Sequence, residues 1–146
     1  MKTVAQIIRS KHSPSVHTIN PETSVLEAIK LMALHRIGAL LVLQDEQLVG
    51  IVTERDYARK VVLLGRTSKV TPVSDVMSTP VMYVNPSQTN EECMALMTDS
   101  RIRHLPVMEH GKLIGIISIG DLVKDIISEQ QFVIDQLQHY INGERG

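Results

Sequence analysis

The sequence predicts an α+β fold in which two β-α-β-β-α repeats pack through their sheets about a pseudo-two-fold axis. Three observations predict it. Residues 16–62 lie on 81–127 at a constant offset of 65 without a gap, and 14 of the 47 positions are identical. Within each copy the apolar pattern passes from strand-like to helical and back in the same order. A hydroxyl residue followed three positions later by a carboxylate recurs at matching places, as Ser24/Glu27 and Thr89/Glu92, and again as Thr53/Asp56 and Ser118/Asp121. That spacing opens helices, because the hydroxyl and the carboxylate each satisfy an N–H the first turn leaves bare. Self-similarity at this length is duplication. One unit of roughly 50 residues would be marginal alone, whereas two can bury their sheet faces together.

The elements follow in order. The N-terminal stretch MKTVAQIIRSKHS is basic, as a targeting peptide is. Its Val4, Ile7 and Ile8, however, recur as Val73, Val76 and Met77 ahead of the second copy, so it reads as part of the fold. Short strands at 16–19 and 81–84 end at Asn20-Pro21 and Asn85-Pro86, since proline cannot continue a ladder. The helices opened at Ser24 and Thr89 carry buried stripes, Val25, Ala28, Ile29 and Met32 in one and Cys93, Met94 and Met97 in the other. Two apolar strands around a polar turn come next, ALLVL-QDEQ-LVGIV and LPVM-EHGK-LIGII. A second helix, starting after Thr53 or Ser118, is expected to bury Ala58, Val61 and Val62, or Val123, Ile126 and Ile127. GRTSKVTP (65–72) reads as a linker. In the tail Ile127, Ile134 and Ile141 are seven apart, with Val133, Leu137 and Tyr140 on adjoining faces, an amphipathic helix that needs a partner surface. The expected division is 1–66 for the first repeat with its N-terminal segment, 67–128 for the linker and second repeat, and 129–146 for the amphipathic helix.

Composition narrows the function. The chain has 146 residues, 43% apolar and 21% charged, ordinary for a globular protein. A net charge of −1 with scattered Lys and Arg gives no footprint for nucleic acid or an anionic membrane. The longest apolar runs are too short to span a bilayer. A lone cysteine, Cys93, fits a reducing compartment, the cytoplasm or, in a eukaryote, the mitochondrial matrix. It falls on a buried stripe and reads as core. The six histidines, at 12, 17, 35, 104, 110 and 139, lack ligand spacing, so no metal site is expected. No Gly-x-Gly-x-x-Gly, no Walker sequence and no nucleophile–base–orienter set is present, which points away from an enzyme.

GIVTERD at 50–56 and GIISIGD at 115–121 are the sequence's sharpest signal. The plain reading is a pair of capping boxes. The functional reading uses the same atoms: bare N–H groups at a helix start favour phosphate, and a carboxylate there can accept two hydrogen bonds from a ribose diol. The two turns, VNPSQT after the first strand, RIRHLPV at 101–107 and the gapless duplication together resemble a tandem pair of CBS domains, as in small stand-alone CBS proteins.

That resemblance implies a non-catalytic regulatory module that binds an adenosine nucleotide (AMP, ADP, ATP or NAD(H)) between its repeats and signals to a partner protein. It implies Thr53, Asp56, Ser118 and Asp121 on ribose and phosphate, and Arg103, His104 and Arg55 on phosphates. Ile51, Met82 and Pro106 would wall one adenine, with Val16, His17 and Ile116 at the other. Arg103 and His104 stand where the first copy has Gly38 and Ala39, so the clefts are expected to be unequal, the one with Asp56 better suited to a charged nucleotide. A homodimer to which the C-terminal helix contributes is also implied. The alternative is a structural interaction module with vestigial clefts.

Overall fold

Each repeat closes around its own core, and each core includes a segment that precedes the other repeat in the chain. The computed structural model describes residues 2–11 and 16–141. His12 and residues 142–146, the end of the expected C-terminal helix, lie outside the described residues. One compact unit comprises Ser15–Tyr83 with Met108–Gly115. The other comprises Met1–Pro14, Val84–Val107 and Ile116–Gly146.

In the first unit β1 (Thr18–Ile19) pairs in parallel with β2 (Ala39–Gln44), which pairs antiparallel with β3 (Gln47–Thr53). Asn20 ends β1 by an Asx turn, its side-chain oxygen accepting from the Glu22 N–H at 2.9 Å. Helix α2 (Val25–His35) is capped by Ser24, whose side chain accepts from the Glu27 N–H at 3.2 Å. The expected capping box is half formed, because Glu27 turns to Lys30 at 3.6 Å instead of reaching back to the cap. Leu40, Val42 and Val52 of the sheet, Val25, Ala28 and Met32 of α2, and Val73 and Val76 of residues 71–78, which run on from the linker and are called the linker segment below, make the core.

The linker segment is held by backbone. Ser24 bridges Pro72, Val25 N–H donates to Thr71 O at 2.8 Å, and Ile51 and Ser78 exchange hydrogen bonds at 3.2 and 2.8 Å. It carries Met77 against Gly50 of β3. A Cβ added at Gly50 would lie 2.9 Å from Met77 Cγ and 3.2 Å from its Cβ, so the motif glycine makes room for this crossing.

The second repeat follows the same plan. Helix α1 (Val4–Ser10), with a complete Thr3/Gln6 capping box, takes the linker segment's part. Thr3 bridges Thr89, Val4 N–H donates to Gln88 O at 2.8 Å, and Val4 and Ile7 enter a core with Val84, Cys93, Met97, Leu105, Ile117 and Leu122. The first strand of this copy shrinks to a single parallel bridge between Val84 and Val107. Helix α4 (Asn90–Ser100) has the full Thr89/Glu92 capping box, and β4 (His104–Glu109) pairs with β5 (Lys112–Ser118). Both first helices end in the same motif. Arg36 and Arg101 take left-handed φ of 55°, and the next N–H, of Ile37 or Ile102, donates to the carbonyl five residues back at 3.0 Å.

The second helices differ from expectation in which face they bury. After Thr53 one α-turn, α3 (Glu54–Asp56), continues as a π-helix over Tyr57–Val62. The wider turn brings Val61 to the core and leaves Ala58 and Val62 exposed. In α5 (Ile119–Ile141) the buried residues are Leu122 and Asp125, Ile126 is half-buried, and Val123 and Ile127 are exposed. The cap fixes the phase of each helix: its third residue, the motif Asp, must turn inward to reach the cap N–H, and the stripe follows from there. The tail helix and the second helix of this repeat are one continuous helix.

Candidate functional site

Both motif carboxylates sit where a strand hands over to a helix. In the first unit Thr53 ends β3. Its backbone N–H and its hydroxyl both donate to Asp56 Oδ2, at 2.9 and 3.1 Å, and the Asp56 N–H returns a bond to Thr53 Oγ1 at 3.2 Å. Asp56 Oδ1 receives the Lys60 ammonium at 3.2 Å and the Ser78 hydroxyl at 3.4 Å. Lys60 also donates to Val76 O at 2.9 Å, tying the motif helix to the linker segment. The helix's first N–H, of Glu54, goes to Gly38 O at 3.1 Å.

In the second unit Ser118 ends β5. Its N–H donates to Asp121 Oδ2 at 2.9 Å, and the Asp121 N–H donates to Ser118 Oγ at 3.2 Å. The ammonium comes from Lys11, at 3.0 Å from Asp121 Oδ2 and 2.8 Å from Ile116 O. Ile119 N–H donates to Arg103 O at 2.9 Å, the counterpart of the Gly38 bond. Asp56 is the more enclosed carboxylate, its side chain 11% exposed against 22% for Asp121.

The remaining expected residues fall in two sets. Ile51, Thr53, Arg55, Asp56, Val16, His17 and Met82 belong to the first unit, and Arg103, His104, Pro106, Ile116, Ser118 and Asp121 to the second. Within the second unit Arg103 is joined to the Ser118–Asp121 turn by its carbonyl, and its side chain is exposed. Pro106 is buried and its carbonyl accepts from Val84 N–H at 3.0 Å. His17 stacks on His35 with ring centres 3.7 Å apart. Burial first, and then the His35 imidazole, hold its pKa below the usual histidine value. Arg55 is exposed at the start of the motif helix. Cys93 is buried, and its thiol is pushed up to about 11 by burial and then by Glu92, so at neutral pH it is a protonated core group.

Sequence reasoning missed three groups that touch the motif carboxylates or their frame. Lys60 is one of the scattered lysines that the sequence does not set apart, although its i+4 spacing from Asp56 was the available signal. Lys11 carried no local signal, since its partner lies at the far end of the chain. Ser78 is brought in by the bridge to Ile51. A second polar group was also missed: Asn90 and Asp125, both buried, are joined at 2.8 Å, with Lys2 3.3 Å from Asp125 Oδ1. Among the described residues no group of three or more His, Cys, Asp or Glu could hold a metal ion, and no helix is long and apolar enough to cross a membrane.

Comparison with known proteins agrees with this architecture. The family model described as CBS domain matches residues 4–63 and 73–128. The chain is 37% identical over 149 residues to the mitochondrial CBS domain-containing protein CBSX3 of Arabidopsis thaliana, covering 97% of this chain and 72% of the relative. It is 35% identical over 123 residues to CBS domain-containing protein YhcV of Bacillus subtilis, covering 84% and 87%. Among solved structures, a CBS-domain protein of Burkholderia ambifaria superposes with a TM-score of 0.86 at 56% identity, covering 88% of this chain and 96% of the other. CBSX2, solved in complex with AMP, gives a TM-score of 0.74 at 26% identity over 89% and 99%.

Proposed function

The chain belongs to the CBS-domain family and carries two repeats of it, and from that premise we propose that it is a non-catalytic sensor of an adenosine nucleotide. AMP, ADP, ATP or NAD(H) binds through the motif carboxylates and shifts the module between two arrangements that a regulated partner protein tells apart. A ligand can do this only by binding the two arrangements with different affinity. The observation that carries the reading is the pre-aimed carboxylate at Asp56. Its Oδ2 is fully committed to Thr53, while the Ser78 hydroxyl on Oδ1 is long at 3.4 Å, a contact that a ribose hydroxyl can replace. Asp121 offers a ribose the same chemistry. Thr53 and Ser118 flank the sugar and phosphate, Arg103, His104 and Arg55 are the cations for phosphate, and Ile51, Met82, Pro106, Val16, His17 and Ile116 are the adenine contacts. That CBSX2 was solved with AMP supports this class of ligand. The working form is a homodimer.

A second reading has its own observation. Each motif carboxylate is already satisfied by its capping box and a lysine, which is what a purely structural turn requires. Calorimetric titration of nucleotide-stripped protein with AMP, ATP and NADH separates the two, run beside Asp56→Ala, Asp121→Ala and Arg103→Ala. Micromolar binding that Asp56→Ala abolishes in a folded chain supports the sensor. No heat from any nucleotide at millimolar concentration leaves the scaffold.

A further inference from the structure

The Asp56 carboxylate is fully occupied. A carboxylate offers about four lone-pair sites, and four donors fill them. The Thr53 N–H and hydroxyl lie on Oδ2 at 2.9 and 3.1 Å, and the Lys60 ammonium and Ser78 hydroxyl lie on Oδ1 at 3.2 and 3.4 Å. A ribose diol asks for two of those sites, so two donors must leave.

The bonding around the turn decides which two. The Oδ2 bonds belong to a reciprocal capping box, in which Thr53 Oγ1 also accepts the Asp56 N–H at 3.2 Å, so breaking them opens the start of the helix. The Oδ1 bonds are longer, and both come from side chains outside the box. Lys60 is the consequential one. Its side chain is 41% exposed. A second hydrogen bond, to Val76 O at 2.9 Å, keeps its ammonium beside the turn once it has let go of Asp56. A neutral nucleoside that takes Oδ1 breaks the ion pair and replaces it with nothing. A nucleotide brings a phosphate, which the released ammonium can then bind.

We propose that Lys60 sets ligand choice at the Asp56 turn: it competes with the ribose for Oδ1 and, once displaced, binds the phosphate, so that the turn prefers nucleoside phosphates to nucleosides. The inference rests on the sensor reading above and adds to it a residue and a rule of selectivity. The Asp121 turn has Asp125 at the matching position, so its own helix supplies no such filter.

The test is calorimetric titration of the nucleotide-stripped full chain with AMP and with adenosine, reading the binding that Asp56→Ala removes. Wild type is compared with Lys60→Met and with Lys60→Gln, a second variant that keeps a donor for Val76 O, once urea denaturation has shown each to be folded. In wild type AMP binds more tightly than adenosine. Lys60→Met should tighten adenosine by about two- to fivefold, the worth of a partly solvated ion pair. It should lower the preference for AMP at least about 10-fold, the worth of a charge-assisted hydrogen bond to phosphate. The two ligands thus move in opposite directions, whereas a lysine that merely braced the turn would weaken both alike. A wild type with no preference for AMP, an unchanged preference in the variants, or equal weakening of both ligands overturns the role of Lys60 and leaves the sensor standing. A lost preference without tighter adenosine overturns the displacement from Oδ1. No heat from AMP or adenosine on wild type overturns the inference, and silence from ATP and NADH as well overturns the sensor with it.

Discussion

Asp56 and Asp121 stand in the same turn, each three residues past the hydroxyl that caps its helix, yet they obtain their cation from different places. Lys60 reaches Asp56 from the next turn of its own helix, whereas Lys11 reaches Asp121 from the N-terminal segment. The position matching Lys60 in the second repeat is Asp125, of opposite charge, which is buried beside Asn90 with Lys2 close by. The two copies share the turn but not the lysine, and in the second an unrelated lysine fills the same role. Each motif carboxylate accepts a backbone bond and one ammonium, and it is that pairing, rather than the lysine's position, that the two repeats share. The lysines also tie each turn to its borrowed segment, since Lys60 binds Val76 O and Lys11 itself ends α1.

The comparison predicts unequal responses. The largest concerns ligand. Asp56→Ala should weaken AMP binding by ~10–100-fold, the worth of charge-assisted hydrogen bonds to a sugar diol, while Asp121→Ala should change it less than about threefold. Equal losses in calorimetry would break the asymmetry. Next is the crossing at Gly50. Gly50→Ala should cost about 1–3 kcal/mol by overpacking against Met77. Adding Met77→Ala should recover part of that cost in urea denaturation, and strict additivity of the two changes would remove Met77 as the cause.

The lysines come third. Lys60→Met and Lys11→Met should each lower stability by less than about 1 kcal/mol, since both pairs are partly solvated. The telling readout is local: amide exchange should quicken at the Asp56 turn in the first variant and at the Asp121 turn in the second. The smallest effect belongs to His17, whose place in the second repeat is taken by Met82. Its folded pKa lies below the unfolded value of about 6.5, so between those two values the unfolded chain binds more protons. Stability should therefore fall as pH drops from about 6.5 and level off below the folded pKa. In an NMR titration, His35→Gln should move the His17 pKa upward, and an unmoved pKa would remove the stacked ring as a cause.

Much of the fold was legible because its signals are local. The repeat offset, the Thr89/Glu92 and Thr53/Asp56 boxes, the buried stripes and the Asn-Pro turns are all written within a few residues of where they act. Misreadings arose where distant groups decide. The Ser24/Glu27 box looked identical to its copy, but Lys30 competes for the carboxylate. The buried face of the second helices is set by the inward turn of Asp56 and by a π-helix that apolar spacing does not announce. Of the candidate site, the hydroxyl–carboxylate pairs could be read directly. Lys11, Ser78 and the Asn90–Asp125 pair could not, because their partners are far along the chain. That α1 belongs with the second repeat was hinted at only by the likeness of Val4 and Ile7 to Val73 and Val76.

The exchange of leading segments also orders events while the protein is being made. The first core draws on residues from Ile19 to Met77, all of which leave the ribosome as one continuous stretch. The second draws on Val4 and Ile7 together with Leu105, Ile117 and Leu122, so α1 emerges ahead of the first repeat and has no core to enter until the second repeat is nearly complete. During that interval its apolar side is open to other chains or to a chaperone. Closure of this second core then requires contacts as far apart in sequence as Lys11 and Ile116, the kind that slow folding. A segment made before the first repeat is thus among the last to find its place.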